Sequence, residues 1–170
     1  MEHRQTHRSF VSYIDRTREY YAAQGYSKAY SWPRYEDVPF TPLGKALSNC
    51  RIGLVTTAGK PEAKVKTDCL GLGLTMRQLY AEPAYPPPTH LFTADLGWHK
   101  AATHTEDLDS YLPVNRLSEQ AAEGFIGSIS PRFYGVPTDY SQKRTLEQYA
   151  PQVLQWCRED GVDAVLLSAL

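Results

Sequence analysis

Residues 145–170, TLEQYAPQVLQWCREDGVDAVLLSAL, run a helix pattern into a strand pattern through Gly161. Leu146, Tyr149, Ala150, Val153, Leu154 and Cys157 recur at helical spacing and form one apolar stripe. Thr145 and Gln148 have capping-box spacing at its start, and Gly161 suits the left-handed residue that closes a helix. Pro151 removes a backbone donor inside the pattern, so the helix either kinks or begins its regular course near Ala150. Residues 162–170 are then apolar on both faces apart from Asp163 and Ser168, which predicts a central strand of a parallel sheet.

Working outward, residues 116–124 read as a short helix closed by Gly124, 125–129 as a strand, and 130–135, SPRFYG, as a loop. Further back, RIGLVTT at 51–57 reads as a first core strand that ends in a turn at 58–61. Strands alternating with helices imply an α/β fold: an open, mainly parallel sheet with flanking helices, left incomplete if the chain continues beyond Leu170. Ligands of such sheets gather beyond the carboxyl ends of the strands, where the loops 56–59 and 130–132 are expected to meet.

The remaining sequence is less regular. Residues 9–24 have helical spacing with Gly25 as a stop, and 26–43 mix aromatics with Pro33, Pro39 and Pro42, which suits an extended segment. Residues 1–39 therefore read as a helix plus extended segment, and 40–170 as the α/β domain. Between Glu62 and Asn115 the periodicity weakens, and Pro83, Pro86, Pro87 and Pro88 exclude a long regular element around them.

Composition narrows the function classes. With 18 Lys+Arg against 19 Asp+Glu and no long run of either sign, a nucleic-acid groove is not expected. No apolar run is long enough to span a bilayer, and MEHRQTHRSF lacks the apolar core of a secretory signal. Three separated cysteines without a C-x-x-C pair suit a reducing cytoplasm and argue against a disulfide framework or zinc knuckle.

Thr56, Thr57 and Gly59 offer hydroxyl and amide donors to a carboxylate or phosphate, or else form an ordinary strand-to-loop turn. Arg132 has the forked geometry for a substrate carboxylate, or else covers the sheet with its aliphatic stem. His99 and His104 are five residues apart, off a common helical face, and no third soft ligand accompanies them, so no metal is expected. His104 is a candidate proton donor, the alternative being a polar loop. Cys50 and Cys157 fall on or near packing elements, where thiols are buried and inert, and no residue reads as a nucleophile.

Three ordered blocks, FTPLGKALSNCRIGLVTTAG at 40–59, HTEDLDSYLPVNRLSEQAAEGFIGSISPRFYG at 104–135 and DGVDAVLL at 160–167, resemble the selenoprotein B family of glycine, sarcosine, betaine and D-proline reductases. The resemblance implies reductive cleavage of a C–N bond in an amino acid or betaine-type substrate by a selenocysteine, or a cysteine in its place, shortly after the strand at 162–170. It implies that these residues are the N-terminal part of the reductase, inactive alone, because the redox residue would follow Leu170. On that reading Thr56, Thr57, Gly59, Ser130 and Arg132 bind the substrate carboxylate and His104 handles a proton. The implied partners are a thiol reductant protein or other reductase subunits. The alternative is a non-catalytic α/β module that binds a small carboxylate. A sheet cut short would expose an edge strand, and poor solubility or self-association is expected of this chain.

Overall fold

The computed structural model describes residues 12–28, 36–38, 41–60, 65–67, 73–75, 78–93, 104–138 and 141–169. The chain divides into two compact units, Met1–Phe40 and Thr41–Leu170. In the first, helix α1 (Ser12–Ala23) is closed by Gly25 at φ 86°, a left-handed position that a side chain rarely adopts. The edge-on ring pairs Tyr20–Tyr21 and Tyr21–Tyr26 fold the following residues back onto its last turn. Most of the expected extended segment lies outside the described residues.

The second unit is built on an open five-stranded sheet. Its first strand, β1 (Arg51–Thr56), is the apolar run identified from sequence, and every residue after Arg51 is buried. A small antiparallel pair, β2 (Val65–Thr67) and β3 (Gly73–Thr75), stands apart from this sheet. Strand β4 (Tyr80–Pro83) follows, then a 3₁₀ turn at Leu108–Ser110 and helix α2 (Val114–Ala122). Strands β5 (Ser128–Ile129) and β6 (Arg132–Gly135) come next.

The next helix starts as one turn at Gln142–Arg144, widens into a π turn at Thr145–Tyr149, and runs regularly as α3 (Ala150–Glu159) into β7 (Ala164–Ser168). β5 and β6 pair in parallel with successive parts of one side of β1, while β7 pairs in parallel with its other side. β4 closes the β6 side of the sheet as an antiparallel strand.

Strand alternation explains the layers. Ile52 and Leu54 face α2, where Leu117 and Ala121 pack, with Tyr111, Leu112 and Val114 filling the core beside them. Val55 faces α3 together with Tyr134, Cys157, Val153 and Trp156. The two helices thus cover opposite faces, the arrangement expected of a parallel sheet wound in both directions.

Three sequence expectations are corrected. Residues 130–135 are not all loop: β6 occupies Arg132–Gly135, and Phe133 and Tyr134 are almost fully buried. The segment is too short and too close to Pro131 to show a period, and only its pairing with β1 and β4 reveals it. The capping box at Thr145 is absent, because the helix starts earlier, where the Ser141 side chain accepts from the Arg144 N–H at 3.3 Å. The π turn then accommodates Pro151, which sits at the start of the regular helix where its missing N–H costs little. Finally, β7 lies at an edge of the sheet among the described residues, not at its centre.

Gly135 sits directly opposite Tyr80 in the β4–β6 pair. A Cβ there would fall 1.9 Å from the Tyr80 ring, whose hydroxyl donates to Ala58 O at 2.7 Å. The ring therefore occupies the space a side chain would need. Gly135→Ala should cost about 1–3 kcal/mol, the usual price of overpacking, seen as a lower urea midpoint with far-UV dichroism retained.

Candidate functional site

The carboxyl ends of β1, β6 and β7 converge at Thr56–Thr57, Gly135–Val136 and Ser168–Ala169. The chain leaving β1 returns through α2 on one face, and the chain leaving β6 returns through α3 on the other. Adjacent strands whose connections depart to opposite faces leave a crevice at their carboxyl ends, the usual place for ligands in open α/β sheets. Here that crevice opens between β1 and β6.

A groove of about 680 Å³ runs from this point along the α3 face of the sheet. Val55, Val136, Val153, Leu154, Val165 and Leu167 give it apolar walls. Thr57 and Ser168 line it from the strand ends, and Thr145 and Tyr149 from the π turn. Such turns often mark functional positions because they move one side chain out of the regular helical stripe. Sequence reading assigned Thr145 to a cap and Tyr149 to a packing stripe; the displaced hydrogen-bond register that turns both toward the groove has no residue signature beyond the nearby Pro151.

The residues expected to hold a carboxylate are not gathered in one place. The Thr56 hydroxyl is fully buried, donating to Tyr111 O at 2.8 Å and accepting from the Ala58 N–H at 3.2 Å. Gly59 exchanges both backbone hydrogen bonds with Phe92, at 2.8 and 2.9 Å. Thr57 alone of this loop lines the groove. His104 is exposed, in the segment that precedes the Leu108–Ser110 turn. His99 lies outside the described residues. Among the described residues no group of three His, Cys, Asp or Glu side chains is placed to hold a metal ion.

Ser130 and Arg132 stand toward the amino ends of the strands, since Tyr134 and Gly135 are level with Val55 and Thr56. There the Arg132 guanidinium forks onto the Asp160 carboxylate, Nε to Oδ2 and Nη2 to Oδ1 both at 2.9 Å, and also reaches Glu159 at 3.1 Å. The Tyr134 hydroxyl donates to Asp160 at 2.7 Å and shares a 3.1 Å hydrogen bond with Ser130. The guanidinium that suits a substrate carboxylate therefore serves a protein carboxylate at the end of α3.

Burial of Asp160 opposes its ionisation, but the hydrogen bonds from Arg132 and Tyr134, the Arg132 charge and the Ser130 hydroxyl outweigh it and hold the carboxyl below its ordinary pKa. Burial pushes the Tyr134 hydroxyl up, and it also raises the Cys157 thiol. Cys50 and Cys157 are both buried free thiols, and Cys157 has the protonated character of a packing residue rather than a nucleophile.

Because the Asp160 pKa is depressed on folding, its contribution is present above the ordinary carboxylate range and is lost as pH falls through the folded value. Asp160→Asn should lower stability at pH 7 by about 2–3 kcal/mol and flatten the loss of stability between about pH 5 and 2. Urea midpoints measured across that range for both proteins check the sign; a residual slope is expected from Asp163, which the Arg51 N–H and Lys45 hold below its ordinary pKa.

The fold is that of an open α/β protein with a groove at the carboxyl ends of its strands. The chain is 29% identical over 133 residues to D-proline reductase subunit gamma of Acetoanaerobium sticklandii, a match that covers 76% of this chain and 52% of that protein. It is 28% identical over 153 residues to glycine reductase complex component B subunit gamma of Symbiobacterium thermophilum, covering 85% and 34%. The protein of the same name from Carboxydothermus hydrogenoformans is 26% identical over 143 residues, covering 81% and 32%. The chain thus spans about half of the first relative and about a third of the other two. No family model matches, and no solved structure gives a significant match. The similarity supports the reductase family broadly. Among the described residues no helix is long and apolar enough to cross a membrane.

Proposed function

We propose that these residues form the substrate-holding α/β part of a reductase that cleaves a C–N bond in an amino acid or betaine-type substrate. The observation that carries this reading is the coincidence of reductase relatives over 76–85% of the chain with a groove that opens at the strand-end crevice. In the overall reaction the C–N bond takes up two electrons and two protons, releasing the amine and the reduced carbon product. A dithiol is oxidised to a disulfide and supplies both electrons.

The redox residue belongs outside these 170 residues, and a selenocysteine or cysteine there would supply the nucleophile. Residues that follow a parallel strand and precede a helix fit that chemistry, since helix N-terminal amides favour an anionic chalcogen. Within the chain, Thr57 at the crevice is the nearest candidate to hold the substrate, with the apolar groove wall excluding water from the cleaved bond. Thr56 and Gly59 brace the loop around it through their internal hydrogen bonds, while Ser130 and Arg132 anchor the opposite, amino ends of the strands. His104 is the proposed proton carrier. The partners of this reading are a thiol reductant protein or other reductase subunits.

Sequencing the genomic DNA beyond codon 170 tests the reading directly. A reading frame that continues to a selenocysteine UGA or a cysteine codon is expected; a stop codon with no continuing frame overturns it. In the chain itself, glycine, sarcosine, betaine or D-proline at a hundredfold excess over its dissociation constant should stabilise the fold by about 2.7 kcal/mol. Thermal shift reads this, and Thr57→Val should abolish the shift, judged against that variant's own unliganded midpoint.

A further inference from the structure

Strand β7 has a second, unused row of backbone groups. The Asp163 N–H donates to Arg51 O at 2.9 Å, and the Arg51 N–H donates to the Asp163 carboxylate at 2.7 Å, so the start of β7 is locked to the start of β1. The parallel register then runs from Ile52↔Ala164 to Thr56↔Ser168. Gly53 and Val55 therefore turn their peptide groups toward β7 and bond Ala164, Leu166 and Ser168, whereas Val165 and Leu167 direct theirs outward. The opposite side of β1 sets this alternation, because there Ile52 O and Thr56 O accept from the Ser130 and Val136 N–H groups. No strand among the described residues meets the outward row.

The same strand is apolar on both faces. Val165 and Leu166 are 42% exposed and Leu167 75%. Val165 and Leu167 line the groove beside α3, and Ala164 packs on the α2 side. Parallel strands are ordinarily covered on both faces, and exposed edges usually carry a lysine, a proline or a bulge against unwanted pairing. Ala164–Ser168 has neither lysine nor proline, and its pairing with β1 runs without interruption. The edge is built to be paired.

The relatives indicate with what. This chain spans 52%, 34% and 32% of their lengths, so each carries polypeptide outside the matched region. Resting on the reductase reading, we propose that the outer edge of β7 receives a further parallel β-strand from that reductase polypeptide, whose apolar side chains complete the groove between β7 and α3.

The test is residue-resolved amide hydrogen exchange on the 170-residue chain, alone and mixed with the part of the A. sticklandii D-proline reductase subunit gamma that lies outside the 133-residue match. In the mixture the amides of Val165 and Leu167 should exchange at least tenfold more slowly, while Leu166 and Ser168, already bonded to β1, change little. Leu167→Pro removes one outward donor and no bond to β1, so it should abolish the slowing at Val165 while the far-UV spectrum of the chain is kept. Unchanged exchange at these two amides in the mixture overturns the proposal. So does protection of those amides in the chain alone that grows with its concentration, the mark of two copies pairing edge to edge. Because the readout does not require turnover, reductase activity without slowed amides sinks this proposal alone, and slowed amides without activity sink only the functional reading.

Discussion

The Arg132–Asp160 fork is the interaction on which the arrangement of this domain depends. It ties the start of β6 to the last residue before the α3–β7 turn, and Tyr134 adds a third bond to the same carboxylate. With the end of α3 anchored there, Arg51 reaches the Asp160 carbonyl at 2.6 Å, and Asp163 engages the Arg51 backbone two residues into the next turn. The register of β7 on β1 follows from those contacts. Asp160 is little exposed and its ionised form has several donors, so the pair escapes much of the screening that weakens surface ion pairs.

That anchoring has a functional consequence. A guanidinium devoted to a carboxylate at the amino end of the strands leaves the carboxyl end to be furnished by other residues. Those are Thr57 and Ser168 on the strand ends and Thr145 and Tyr149 on the π turn. The ion-pair anchor thus lies at one end of the sheet and the groove at the other, the end where open α/β sheets usually bind ligands.

The walls of the crevice carry the mark of an unshared edge. Val165 and Leu167 help to line the groove and also belong to the strand whose outward peptide groups meet no strand among the described residues. Pairing at that edge and closure of the groove are therefore one physical event, because an added strand would place its own side chains over the same apolar surface. On the proposed function, substrate holding and completion of the sheet would be coupled through β7.

The apolar runs at 51–57 and 162–170, the helical stripe before Gly161 and the helix ending at Gly124 were legible in the residues, because burial on one or both faces imposes a period on local sequence. From these the α/β class and its parallel sheet follow. The strand at Arg132–Gly135 was not legible, since four residues show no period and their strand character comes from β1 and β4 on either side. Nor could sequence show that Thr56, Gly59, Ser130 and Arg132 have partners inside the protein, or that Thr145 and Tyr149 turn toward the groove. Local pattern reports how far a segment is buried; which donors meet which acceptors, and whether an apolar strand lies at the centre or the edge, is set by contacts between segments as many as 112 positions apart.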